Sequence, residues 1–266
     1  MSIKVKEIFA KSALTPSRIK GIDFALNPYI GCAHGCRYCY AHFMKRFRNH
    51  SEPWGSFVDV KINIPQLLEK ELQRQKYRTM NFADFEHGAR RVGHGVDKLV
   101  SLSTVTDPYQ PLEKKYQLTR RCLEILLRDQ IPVSILTKSP LVLRDVDLIR
   151  QFKTIDVGIT ITTDRDDIRN IFEPGAPPIQ ARIETLKELH QQGIKTWVFV
   201  GPMLPMDPHL LGQQVKDYIH HAYIDPMNYI AKSRSIYYQY HLQYALKVEY
   251  FERCKLVLQN IFTDGS

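Results

Sequence analysis

The sequence predicts an α/β fold, an incomplete TIM-like (β/α)6 barrel of parallel strands with a C-terminal helical segment. Three observations predict it. From residue 98 onward, short β-branched runs alternate with stretches of helical periodicity, the pattern of βαβ units and a parallel sheet. Adding one strand at the front gives about six βα units, too few to close an eight-stranded barrel. The chain of 266 residues is 44% hydrophobic and 24% charged, a globular balance that suits one large domain or two small ones. The expected division is 1–230 for the partial barrel, including an N-terminal cysteine loop, and 231–266 for a helix packed on it.

The elements follow in order. Residues 22–29 read as a strand leading into the cysteine loop, residues 40–47 open a helix, and residues 64–76 form another. Residues 98–105 are a short apolar run, hence a strand, and 112–128 are a helix charged on one face. Residues 133–137 read as a strand, 141–152 as a helix and 156–162 as a strand. The helix over 179–192 closes at Gly193, a usual C-terminal stop. A strand at 196–200, a helix at 209–221, a brief strand at 222–225 and one long helix at 233–260 complete the chain. Its tyrosines (Tyr237, Tyr238, Tyr240, Tyr244, Tyr250) suit a helix packing across the open side of the barrel. Residues 79–97 carry Phe82, Phe85, His87, Arg90, Arg91 and His94 with three glycines. A loop of that length is uncommon without a function, and it reads as a lid or substrate loop.

Composition narrows the setting. No apolar run reaches the roughly 20 residues a bilayer span needs, and the N-terminus lacks the continuous apolar stretch of a signal peptide. The expectation is a cytoplasmic protein with no membrane association. The net charge of +9 is uneven: residues 1–150 hold 25 Lys and Arg against 15 Asp and Glu, and the rest hold 12 against 13. A basic half admits a polyanion such as nucleic acid, or simply a solvated surface.

Five cysteines, three of them within eight residues, are not a disulfide framework; clustered thiols point to metal or redox chemistry. Cys122 and Cys254, isolated on helical stretches, read as buried structural thiols. The motif is Asn27-Pro28-Tyr29-Ile30-Gly31-Cys32-Ala33-His34-Gly35-Cys36-Arg37-Tyr38-Cys39-Tyr40, with Cys-x3-Cys-x2-Cys spacing. Thiolates ligate iron–sulfur clusters, and a fully ligated cluster takes four. Three leave one iron open. The alternative is zinc, with His34 or His42 completing a Cys3His site. A single Cys-x2-Cys without a second knuckle favours the cluster. Gly31 and Gly35 suit a tight loop wrapping it.

The aromatic before the third cysteine, the longer string from Asn27 to Tyr40, and the downstream strings Thr106-Asp107-Pro108-Tyr109-Gln110-Pro111-Leu112-Glu113 and Thr137-Lys138-Ser139 together resemble the radical S-adenosylmethionine (SAM) superfamily, in its spore photoproduct lyase-like branch. The resemblance runs from about Asn27 to Pro208. It implies a [4Fe–4S] cluster on Cys32, Cys36 and Cys39 whose open iron chelates SAM. It also implies reductive cleavage of SAM to a 5′-deoxyadenosyl radical, and an external reductant such as flavodoxin or ferredoxin. The chemistry would belong to the cofactors and the positioning to the protein.

Candidate SAM contacts then sit at strand ends. Thr106 and Asp107 could accept the ammonium, although Asp-Pro is also ordinary turn chemistry. Lys138 could pair with the carboxylate. Thr160 and Thr162, on one face of their strand by alternation, could bind ribose or carboxylate, or simply reflect β-propensity. Gly201 and Met203 could meet the adenine, and the resemblance places Tyr38 against it. Glu173 and Arg182 read as an ion pair, either shaping the site or serving only structure. The resemblance also implies that Tyr38 and Tyr40 match two tyrosines of a radical relay, while Thr104 falls where the lyase has its hydrogen-donating cysteine. An O–H bond is too strong for threonine to take that role. The expected function is a radical SAM enzyme on an unidentified substrate, with a DNA-repair lyase-like reaction as one version. The other class is an iron–sulfur nucleic-acid-binding or sensor protein without catalysis.

Overall fold

The structure is a computed structural model describing residues 3–83 and 98–263. Its strands are β1 (Lys4–Ile8), β2 (Leu14–Pro16), β3 (Phe24–Leu26), β4 (Tyr29–Ile30), β5 (Phe57–Lys61), β6 (Val100–Leu102), β7 (Val133–Thr137), β8 (Ile155–Thr160), β9 (Thr196–Val200) and β10 (His221–Ile224). Its α-helices are α1 (Ile64–Ala83), α2 (Glu113–Tyr116), α3 (Leu118–Arg128), α4 (Val146–Ile149), α5 (Asp166–Phe172), α6 (Ile179–Gln191), α7 (Pro208–Val215), α8 (Ile230–Gln239) and α9 (Val248–Thr263). The main sheet has seven strands in the order β10-β9-β8-β7-β6-β3-β2. The run from β3 to β10 is parallel, and only β2 pairs antiparallel, on β3. The six parallel strands are those expected from the sequence, and the sheet is open, so the fold is the predicted partial barrel.

Local sequence explains the wall. In β7 exposure alternates strictly, with Val133, Ile135 and Thr137 buried and Ser134 and Leu136 less so. On α3, Leu118, Cys122, Leu123, Ile125 and Leu126 form one buried stripe at helical spacing. On α7, Asp207 caps the helix by accepting from His209 N–H and Leu210 N–H, with Pro208 in the first turn. Gly158 is required by β9: a Cβ there would lie 2.3 Å from the Trp197 ring. Cys122 and Cys254 are buried in the main core, as expected.

Several expectations need correction. The helix over 112–128 is two helices, broken at Gln117 in the left-handed region (φ 51°). The stretch 141–152 is not one helix but a 3-10 helix over Pro140–Asp145 followed by the short α4. The single long C-terminal helix is α8, a 3-10 turn at Gln243–Leu246 and α9, interrupted where His241 takes φ 56°. α9 packs on α7 and β10, and α8 packs near the cysteine loop. The front strand is two, β3 and β4, which belong to different sheets. A second sheet, β1-β5-β4, was not expected from sequence. Residues 79–83, read as loop, continue α1; the rest of the loop expected over 79–97 lies outside the described residues.

The C-terminal ends of the parallel strands converge on one cavity of about 280 Å3. Such folds place their chemistry at this end.

Candidate functional site at the cysteine loop

The segment between β4 and the 3-10 helix Tyr40–Arg48 is short and tightly turned. Gly31 (φ 86°) and Gly35 (φ 60°) lie in the left-handed region, and Gly31 also has no room for a Cβ, which would come 2.4 Å from Phe57 O. Gly35 N–H donates to Cys32 O (3.2 Å) and Cys39 N–H to Cys36 O (3.1 Å). Cys32, Cys36 and Cys39 all line the cavity. Burial pushes the Cys36 thiol up to about 11 and the Cys39 thiol up to about 12, so forming both thiolates near neutral pH calls for a bound cation.

Side chains from the strand ends hold this loop. Gln110 accepts from Ala33 N–H (3.0 Å) and donates to Gly31 O (3.3 Å) and Thr106 Oγ1 (3.0 Å). The Thr106 hydroxyl in turn donates to Gly31 O (2.7 Å). Asn27 Oδ1 accepts from Thr104 N–H (2.9 Å) and Val105 N–H (3.0 Å), tying β3 to the segment after β6. Asp107 is fully used by the protein: it accepts from Thr137 Oγ1 (2.6 Å), Tyr109 N–H (2.9 Å) and Lys138 N–H (2.8 Å), and lies 3.3 Å from His34 Nδ1. Burial alone would raise Asp107, but His34 and then these donors outweigh it and hold it at about 2. Burial would likewise push His34 toward neutrality, and Asp107 with Cys32 instead keeps it up at about 10.

A second set of contacts meets at Glu173, which is fully buried. It accepts from the Tyr38 hydroxyl, from Thr162 Oγ1 (3.0 Å) and from the fully buried Arg182 guanidinium, and Lys138 Nζ is 3.7 Å away. Burial would raise its pKa; the charges of Arg182 and Lys138 reverse that and hold it at about 2. Tyr38 is raised well above the usual tyrosine range, by burial first and then by Cys36 and Glu173. The expected Glu173–Arg182 pair is thus present, and it fixes Tyr38 and Lys138 beside the loop.

Of the residues singled out in sequence, Tyr38, Tyr40, Thr106, Asp107, Lys138, Thr160 and Gly201 line the cavity with the three cysteines. Thr162 and Met203 do not. Thr162 lies past the end of β8, where strand alternation no longer applies, and its hydroxyl serves Glu173. Met203 is buried in the main apolar core. His34 is engaged with Asp107, whereas His42, its ring 5.2 Å from Trp54, keeps a buried Nε2 without a hydrogen-bond partner among the described residues. No three His, Cys, Asp or Glu side chains among the described residues are gathered as ligands for one metal ion. Three thiols sharing a cavity wall, with cations Lys138 and His34 beside them, fit a group larger than one ion and bearing negative charge. Sequence reasoning missed Trp54, Phe199, Asp225 and Tyr229 on the cavity wall. Tyr229 stacks on Tyr40 (centroids 6.1 Å, 18°), and the Tyr40 hydroxyl donates to Thr104 O. Asp225 ends a strand read from sequence and Phe199 lies in another, which was the signal available for them.

Comparison with known proteins agrees with this geometry. The family model for the radical SAM superfamily matches residues 26–209. The uncharacterized protein MJ0683 of Methanocaldococcus jannaschii is 34% identical over 85% of this chain and 78% of its own length. A radical SAM Nalpha-GlyT isomerase of Pseudomonas phage M6 is 24% identical over 67% of this chain and 32% of its own. Among solved structures, a point variant of spore photoproduct lyase superposes with a TM-score of 0.66 at 14% identity, over 98% of this chain and 79% of that one. Another variant, with bound AdoMet and dinucleoside spore photoproduct, gives 0.59 at 16%, over 89% and 66%. These likenesses show a shared fold. The chain spans only 57% of the mycobacterial relatives it matches. This chain belongs to the radical SAM superfamily, whose members use a [4Fe–4S] cluster and SAM for radical chemistry and need a reductant.

Proposed function

We propose that this protein is a radical SAM enzyme in which Cys32, Cys36 and Cys39 ligate a [4Fe–4S] cluster and the adjoining cavity takes SAM and the reacting part of a substrate. One observation carries the reading: the three thiols open onto a single cavity that also receives five parallel strand ends. Cluster and SAM, when bound, supply a 5′-deoxyadenosyl radical by one-electron cleavage of the sulfonium.

The chain's own residues position and shield. Lys138, 14% exposed and facing the cavity, is the cation for the SAM carboxylate, and Glu173 holds its ammonium at the wall. Thr160 and the backbone around Gly201 offer polar contacts, and Leu136, Phe199 and Pro202 an apolar wall for the adenine. Asp107 and Thr106 are positioning residues, because their acceptors and donors are already engaged with the cysteine loop and β7. Tyr38 keeps its proton, since its own pKa is raised and its partner carboxylate is held at about 2. A relay through Tyr38 and Tyr40 would start from neutral phenols whose hydroxyls are bonded to Glu173 and Thr104 O.

The substrate enters past Tyr40 and Tyr229. A nucleic acid suits that mouth: stacked aromatic rings offer a platform for a base, and the chain is strongly basic. The hydrogen return of the lyase is not part of this proposal, because Thr104 lines the cavity where a thiol is needed. The test is anaerobic reconstitution followed by dithionite and SAM, with and without damaged and undamaged oligonucleotides. Release of 5′-deoxyadenosine is expected, rising with the right substrate. A protein that binds iron yet never cleaves SAM would refute the enzymatic reading.

A further inference from the structure

The aromatic surface at the cavity mouth continues beyond Tyr40 and Tyr229, along the 3-10 helix Tyr40–Arg48. Residues three apart eclipse one another on such a helix, so Tyr40, Phe43 and Arg46 share a face. Tyr229 stacks on Tyr40 (centroids 6.1 Å), Tyr40 meets Phe43 (6.3 Å, 34°), and Phe43 meets Phe47 edge to face (6.1 Å, 89°). The row stands in solvent: Tyr229 is 48% exposed, Phe43 41% and Phe47 72%. Neither phenylalanine lines the cavity or packs in an apolar core of the described residues. Contiguous exposed rings of this kind mark a binding surface.

Cations stand beside the row at both ends. Lys232 Nζ lies 5.5 Å from the centroid of the Tyr229 ring. Arg46, on the face of Phe43 and next to Phe47, is exposed and makes no ion pair among the described residues. Residues 24–51 hold Arg37, Lys45, Arg46 and Arg48 and no Asp or Glu, and residues 226–248 hold Lys232, Arg234 and Lys247 and again none. Of the acids beside these segments, Glu52 pairs with Lys4, Asp59 with Arg48, and Asp225 faces the cavity. Rings with cations and without carboxylates fit a chain that joins planar groups through negative charges, which is the chemistry of a nucleic acid strand. A duplex does not fit. It keeps its base faces in its own stack, one every ~3.4 Å along a strand, whereas these rings lie 6.1–6.3 Å apart. Unpaired bases splayed from an extended backbone do fit. The row holds no carboxylate to accept from a ribose 2′-hydroxyl, the group that marks RNA, so DNA is the occupant.

We propose that Tyr40, Phe43 and Phe47, with Arg46 and Lys232 beside them, form a track for unpaired DNA flanking the nucleotide in the cavity, with about one base on each ring. The track admits an extended single strand and turns away a duplex that is not opened beside the reacting base. The inference rests on the nucleic-acid reading of the substrate, and not on the cluster or on SAM cleavage.

The experiment measures binding of a short fluorescent DNA strand to the reconstituted full chain by anisotropy, against the matching duplex, the matching RNA strand and vesicles of anionic phosphatidylglycerol. The Phe43→Ala/Phe47→Ala pair is set against wild type and against Phe43→Tyr/Phe47→Tyr, which keeps the rings. Wild type should hold the single strand about tenfold or more tighter than the duplex, and the alanine pair should lose about tenfold or more on the strand alone, while the tyrosine pair stays within about threefold of wild type. Arg46→Ala should lower the salt slope of strand binding by about 1. Equal affinity for strand and duplex, or an alanine pair that binds the strand like wild type, would overturn the proposal. So would equal losses in the alanine and tyrosine pairs, RNA bound more tightly than DNA, or vesicles bound through these rings and the strand ignored. Because the readout is binding, failure to cleave SAM would count against the enzymatic reading and leave this one standing. SAM cleavage on a small substrate with no strand bound would do the reverse.

Discussion

The strand wall from β6 to β10 is held by backbone ladders, each strand in parallel register with the next and each apolar face covered by a helix. The cysteine loop is held from elsewhere, by the side chains of Gln110 and Thr106 from after β6 and by the backbone of Gly175 from beyond α5. Damage to the wall should therefore cost global stability and spare the site. Damage to the loop's supports should cost the site and spare the fold. Glu173 belongs to both, since its partners are Tyr38 in the loop and Arg182 in the helical layer.

The largest effect is expected where the two regions meet. Glu173→Ala leaves Arg182 buried without its counter-charge and should cost about 3–5 kcal/mol, read by urea unfolding, with iron uptake reduced as well. A variant of normal stability would break the link drawn between loop and wall. Next, Leu186→Ala, fully buried on α6, should cost about 2–5 kcal/mol while retaining full iron content below its melting temperature. Loss of iron there would erase the contrast. Gln110→Ala should do the reverse. It removes bonds to Ala33, Gly31 and Thr106 at about 1–3 kcal/mol, with a small shift in Tm but a clear fall in cluster yield.

The last effect is the acid response. Glu173 sits at about 2 in the fold against an ordinary 4.5. Below 4.5 the unfolded chain takes up a proton that the folded one refuses, so the stabilisation, complete above that pH, is lost as pH falls toward 2. Glu173→Gln should flatten this part of the stability profile between pH 5 and about 2. An unchanged profile would place the acid sensitivity elsewhere, for instance at Asp107.

The same contrast explains what could be read from sequence. β7 and β9 have the bounds read from sequence, because each is a short run rich in β-branched and apolar residues, alternately buried in β7 and buried almost throughout in β9. The front did not yield. β1 is almost wholly exposed, and in β5 Asp59, buried against Arg48 and His50, interrupts the apolar residues, so neither reads as a clean apolar run. The helix breaks at Gln117 and His241 interrupt sequences whose periodicity runs on. In the site, the strings carrying the cysteines, Tyr38, Tyr40 and Lys138 meet at one cavity, as their order in the sequence suggested. What the side chains of Thr106, Asp107 and Thr162 bond to was not legible, because their partners lie 11 to 75 residues away along the chain. Tyr229 and Trp54 reach the cavity only through tertiary packing.

The claim everything else depends on is that the loop holds a three-thiolate cluster. Iron and sulfide should be counted per chain after anaerobic reconstitution of wild type, of Cys32→Ala, Cys36→Ala and Cys39→Ala, and of the Cys122→Ala/Cys254→Ala pair. The prediction is about four irons in wild type and in the control pair and near none in each loop variant, all folded by circular dichroism. Zinc in place of iron, or iron retained when a loop cysteine is removed, would contradict it.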